Sequence, residues 1–177
     1  RLRGKRPAAA LLSKLQGNGV LMLILLVGLL LRLWGIGFGL PHRYHIDEVY
    51  SVLGALRTAS GDFSPRYPVN SPNLWEFVLL LEYGVMFVLG MARNAYTSVA
   101  DFAASYRVDP TWFYLLARGT SALLGTATVA VVYQTARDIY RDRWAGLLAA
   151  LFLAVAFLHG RDSHYAVADA LVVFMTT

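Results

Sequence analysis

The chain has 177 residues, of which 57% are apolar and 15% charged, and its mean hydropathy is +0.50. That balance excludes an ordinary soluble domain and fits a multi-pass membrane protein. The formal charge is +5 and cysteine is absent, so a disulfide framework, a thiolate nucleophile and a Cys-based metal site are all excluded.

The basic excess is concentrated at the start, in Arg1, Arg3, Lys5, Arg6 and Lys14. No stacking motif accompanies it, so it reads as the cytoplasmic flank of a span, and nucleic acid is not an expected partner. The first apolar run, about 20–40, is long enough to cross a ~30 Å hydrocarbon core and too long for a signal-peptide core. Arg32 lies near its far end beside Trp34. It reads either as a snorkelling side chain at the interface or as an anion contact.

Beyond Pro41 come His45-Ile46-Asp47-Glu48-Val49-Tyr50. Val49, Val52, Leu53 and Leu56 recur at helical spacing, which predicts a short amphipathic helix lying on the membrane surface. Asp47 is expected at its N-cap and Gly61 at its C-terminal cap. Two adjacent carboxylates at the mouth of a span point to a general base at the water interface. Capping by Asp47 and a helix-dipole contact from Glu48 account for the same residues structurally, and the two readings are compatible.

A Pro-rich turn over 64–72 leads to an apolar run at 74–92, interrupted by Glu76 and Glu82. Near a bilayer centre each would cost about 2–3 kcal/mol or more. This run is therefore expected as a helix packed obliquely at the outer face. Residues 93–110 are mixed and polar. Spans are expected at 112–136, at 144–159, and from 170 onward. The loop 137–143 carries Arg137, Arg141 and Arg143. The positive-inside tendency places this loop and the N-terminus in the cytoplasm, and Asp47 and Asp169 together outside.

The second acidic cluster is Arg161-Asp162-Ser163-His164-Tyr165-Ala166-Val167-Ala168-Asp169. Asp169 reads as a helix-start residue or as a second site carboxylate. Arg118 and Arg161 either snorkel or hold a lipid phosphate through paired hydrogen bonds. The four histidines form no ligand motif, so a divalent metal stays possible without an assigned site. The absence of an initiating Met and the apolar run that closes the sequence lead us to expect one piece of a longer protein.

An apolar first span followed by an Asp-Glu pair opening a surface helix resembles the first external loop of GT-C-type glycosyltransferases. The likeness is to the family-39 group, which includes protein O-mannosyltransferases and aminoarabinose transferases. Asn70-Ser71-Pro72-Asn73-Leu74-Trp75 stands where that group often has a His-Pro-Pro-Leu-Tyr-like start to a second surface helix. Here Ser71 replaces the His. Arg118-Gly119-Thr120-Ser121-Ala122-Leu123-Leu124-Gly125 looks like the opening of the second span, and residues 162–169 resemble the segment that brings in a second acidic residue. The stretch 93–110 looks like an insertion.

The resemblance implies an all-α integral membrane protein: a GT-C-like multi-span bundle with surface-lying helices in an external loop over 41–111. It implies a polyprenyl-phosphate sugar as donor, a protein or lipid hydroxyl as acceptor, and inversion at the anomeric carbon. Asp47 takes the place of the base. Glu48 and Asp169 orient the acceptor or a metal, Arg118 and Arg161 contact phosphate, and His164 and Tyr165 line the substrate site. The expected setting is a bacterial plasma membrane with the site extracytoplasmic. The alternative is a non-catalytic subunit of this fold, packed within a larger membrane-protein complex.

Overall fold

The computed structural model describes residues 7–42, 45–65 and 72–177; side chains are described from residue 19 on. Most of the basic N-terminal cluster and the Asn70-Ser71 pair lie outside the described residues. Among those described, every regular element is helical.

Helix α1 spans Pro7–Leu33, α2 Ile46–Ala59, α3 Leu74–Ala92, α4 Val99–Val108, α5 Thr111–Tyr140, α6 Arg143–Val155, α7 Phe157–Asp162 and α8 Asp169–Thr176. Local chemistry explains most of the boundaries. Side chains of Asn73, Ser98 and Asp142 accept first-turn N–H groups of α3, α4 and α6. Helix α2 ends as its sequence predicts. Gly61 sits at φ +85°, its N–H donates to the Thr58 carbonyl, and Asp62 N–H donates to that of Arg57. This pair of bonds is a Schellman closure, which favours glycine at the left-handed position.

Two expectations are corrected. The first apolar run is not helical to residue 40. Helix α1 stops at Leu33 and the chain continues in turns through Gly35 and Gly39, both at positive φ. The third run is not one helix either. Ala156 is extended, with ψ 118°, and separates α6 from α7. The stretch 93–110, read as mixed and polar, contains α4, whose Phe102 and Tyr106 are buried.

The molecule has two packed regions. In one, α1, α5 and α6 bury Ile24, Val129, Leu147, Ala150 and Ala154. Small residues allow this closeness: a Cβ on Gly146 would lie 2.8 Å from the Tyr133 carbonyl oxygen. The outer faces stay apolar and uncovered, with Met22, Leu23, Leu26 and Phe152 each more than half exposed. Such a surface suits lipid rather than water.

In the other region, α2, α3 and α4 gather on the first turns of α5. Val52, Ala55, Trp75, Leu79, Phe102, Tyr106 and Phe113 form its core. Phe113 packs against Tyr83, Phe102 and Tyr106 at centroid separations of 5.1–5.3 Å, the range aromatic pairs favour.

Helices α3 and α5 are both long and apolar enough to cross a membrane, and most of each stays uncovered. Their packing differs. Helix α3 meets α5 near its own midpoint, where the Tyr83 hydroxyl donates to the Phe113 carbonyl at 3.2 Å. Beyond that point Phe87 packs on Phe102, and Gly90 lies against Tyr96.

Candidate active site

The site is built where α1 ends, α2 begins, α5 passes and the α7–α8 connection returns. Helix α2 begins at Ile46, two residues earlier than an Asp47 cap requires. The N-cap is His45, which makes no side-chain capping bond. Asp47 therefore sits inside the first turn, where the N-terminal dipole favours a carboxylate. Its side chain is exposed. Its carbonyl accepts from the Ser51 hydroxyl at 3.0 Å, and among the described residues its side chain has no hydrogen-bond partner.

Glu48, the next residue, has the opposite fate. It is 1% exposed. Its Oε1 accepts from Arg118 Nε and from the Ala166 backbone N–H, both at 2.7 Å, and its Oε2 accepts from Arg118 Nη2 at 2.7 Å. Arg118 Nη1 donates to the carbonyls of Ile36 at 2.6 Å and Phe38 at 3.0 Å. Four of the five guanidinium N–H groups are thereby used. This clasp ties together four chain segments. A fifth joins through Trp75, whose Nε1 donates to the Ala166 carbonyl at 3.3 Å. Burial without pairing would cost each charge several kcal/mol, so each is tolerated only with the other.

Tyr165 lies beside the clasp. The Arg118 guanidinium is 5.8 Å from its ring centre, and the His45 ring stacks on it at 4.4 Å. The His164 ring meets Tyr165 edge-on at 5.8 Å. The His164 ring nitrogens lie 2.8 Å from the Arg32 carbonyl and 3.2 Å from that of Gly35, so whichever carries the proton has an acceptor. A cavity of about 310 Å³ opens here. Its polar end is formed by Arg161, His164 and Tyr165, and its apolar walls include Leu31, Val155 and Phe157. Arg161 pairs with Asp162 at 2.7 Å, with the two side chains 51% and 39% exposed. An exposed pair of this kind is worth little, and an incoming anion displaces it readily.

The structure thus brings Glu48, Arg118, His164 and Tyr165 together, with Asp47 alongside Glu48 and Arg161 at the cavity rim. Asp169 is not in this network. It is the first residue of α8, exposed, and the N-cap there is Ala168. Among the described residues no three His, Asp or Glu side chains converge as a metal site.

Arg32 does not snorkel. It is fully buried, with Nη1 donating to the carbonyls of Gly28 at 2.7 Å and Ala154 at 3.3 Å, while Nε and Nη2 have no partner among the described residues. Helix α6 and the α7 segment close over it, so its side chain stays inside the bundle.

Two partnerships were not visible in the sequence. The Glu48–Arg118 pair spans 70 positions, and no local periodicity couples residues that far apart. Gly54 against Glu76 is the other: a Cβ on Gly54 would lie 2.5 Å from the Glu76 carboxyl carbon. The signal for it was a glycine in the middle of an otherwise regular helix, which costs about 1 kcal/mol and usually marks close approach.

Residues 82–177 match the dolichyl-phosphate-mannose-protein mannosyltransferase family model. No curated protein and no solved structure matches the chain. The matched region holds Arg118, Arg161, His164, Tyr165 and Asp169, and begins after Asp47 and Glu48. It takes in more than half of the chain, and its helices have the apolar, lipid-suited surfaces of a membrane protein. The chain belongs to the dolichyl-phosphate-mannose-protein mannosyltransferase family, a family of membrane glycosyltransferases.

Proposed function

We propose that this chain carries the catalytic corner of a glycosyltransferase that moves a sugar from a polyprenyl phosphate to a hydroxyl acceptor on the extracytoplasmic face, with inversion. The observation that carries the assignment is the contrast between two adjacent carboxylates. Three donors occupy the oxygens of Glu48. Asp47 is exposed, with its oxygens free to take a proton among the described residues. Asp47 is the base, and the Glu48–Arg118 clasp holds the turn that aims it.

In this reading the acceptor O–H gives its proton to Asp47. The acceptor oxygen forms a bond to the anomeric carbon as the bond from that carbon to the phosphate oxygen breaks. The electron pair leaves with the polyprenyl phosphate. A single displacement inverts the centre. Because phosphate is a good leaving group, one base suffices, in contrast to the acid–base pair of most glycosidases. The cavity beside Tyr165 has the form such a donor needs: an apolar wall that faces lipid and a polar end at Arg161, His164 and Tyr165. Arg161 offsets charge on the departing phosphate. Arg118 has one N–H without a partner among the described residues, which serves the same purpose. Asp169 orients the acceptor or a divalent cation from the start of α8.

The topology proposed with it puts the N-terminus and loop 137–143 in the cytoplasm and both acidic segments outside, with α3 oblique at the outer face. The Glu48–Ala166 bond supports this, because it holds the two segments at one end of the bundle.

The test is transfer from a polyprenyl-phosphate mannose by the full-length protein, with thermal stability measured alongside. Asp47→Asn keeps size and helix compatibility and is expected to lose about 10²–10⁴-fold in rate, the usual loss when a general base is removed. Near-wild-type transfer by Asp47→Asn removes Asp47 as the base. If no carboxylate substitution affects transfer, the non-catalytic subunit becomes the better reading.

A further inference from the structure

A second concavity lies away from the clasp, between the latter half of α3 and the first turns of α5. Its volume is about 610 Å³, within the range of small-ligand sites. Leu81, Val85, Met86, Leu89, Trp112 and Leu116 line it. From Glu82 to Arg93 at the C-cap of α3, it follows about 16 Å of helix. Arg93 is exposed, and among the described residues no carboxylate pairs with it.

We propose that this groove holds a resident phospholipid, with one acyl chain along α3 and the headgroup phosphate on Arg93. Three observations favour lipid over a polypeptide. The walls are almost wholly aliphatic and aromatic, so a peptide backbone laid there would leave its N–H and C=O groups without partners, at a cost an acyl chain does not incur. The groove is continuous with an uncovered apolar face of α3, where Leu81, Val85 and Val88 are 73%, 60% and 63% exposed. Its other end carries residues that mark the headgroup level of a bilayer: Tyr96, Trp112 and Arg93. Guanidinium binds phosphate through two parallel hydrogen bonds, so Arg93 supplies a fixed polar anchor for a chain that otherwise makes only apolar contacts.

The proposal stands apart from the catalytic reading, and its test requires no transfer activity. Full-length protein is reconstituted in phosphatidylcholine vesicles containing phosphatidylglycerol with a photoactivatable acyl chain. It is then irradiated, and adducts are mapped by peptide mass spectrometry. Adducts on peptides covering 81–96 and 112–116 are expected to exceed, several-fold, those around Leu23, Leu26 and Leu30 of α1, which report bulk lipid. Leu116→Trp fills the groove and should bring labelling down to that background. Val85→Phe serves the same purpose if Leu116→Trp lowers the thermal transition.

Phospholipid retained through detergent purification should be stoichiometric in the wild type and lost in Arg93→Gln. Millimolar inorganic phosphate should not displace it. Labelling of the groove no stronger than on α1 means annular lipid only and overturns the proposal. So does unchanged lipid retention in Arg93→Gln, or loss of labelling on adding a hydroxyl-bearing acceptor peptide, which would make the groove a polypeptide site.

Discussion

Removing one partner of the Glu48–Arg118 pair should be among the most damaging single changes in this chain. The two side chains are 1% and 4% exposed, so solvent does little to screen them. Glu48→Gln keeps the size but replaces one acceptor oxygen with an NH₂ group that faces Arg118, itself only a donor. At least one charge-assisted bond is lost, worth about 1.5–3 kcal/mol, and a buried guanidinium is left without its counter-charge. Breaking such a pair from one side costs about 3–5 kcal/mol in all. The effect should be measured by denaturant titration of the full-length protein in mixed micelles.

The double variant Glu48→Leu with Arg118→Met separates pairing from packing. Removing both charges relieves the isolated-charge penalty, so its loss should be smaller than the sum of the two single losses. It should not vanish, because the Ala166 N–H and the Ile36 and Phe38 carbonyls lose their partners. A loss below about 1 kcal/mol for Glu48→Gln, with additive single and double variants, would place the pair in the weak class of exposed ion pairs and refute the clasp.

Three further outcomes are expected. Arg161→Ala should raise the donor KM with little effect on the acceptor KM, and Arg161→Lys should recover only part, since Lys lacks the two-pronged fork; an unchanged donor KM would remove Arg161 from the phosphate site. Single cysteines at Phe63 and Asp162, in a chain with no native cysteine, should react with an impermeant maleimide from outside intact cells while one at Ile139 should not; labelling of Phe63→Cys without Asp162→Cys breaks the shared face. Gly61→Ala forces an L side chain into φ +85° and should lower stability by about 1–2 kcal/mol without changing KM, which thermal unfolding and kinetics together would check.

The sequence by itself determined whatever depends on near neighbours. Asn73, Ser98 and Asp142 cap helices, Gly61 ends one, and the apolar runs become helices with lipid-suited faces, because these outcomes rest on bonds and periodicities a few residues long. Even there the register was off by two residues. His45, not Asp47, precedes α2, since nothing local separates a helix starting at 46 from one starting at 48. The acidic pair stood out because charges beside an apolar run are rare.

Only the tertiary structure decided what each carboxylate does. Asp47 and Glu48 are adjacent and chemically alike. One faces solvent and the other is clasped by Arg118 and Ala166, because α5 and the α7–α8 connection arrive on only one side of the α2 turn. The same holds for Arg32, whose place at a span end suits snorkelling until α6 and α7 close over it. Burial and charge pairing over tens of residues are properties of the assembled bundle, and no window of sequence contains them.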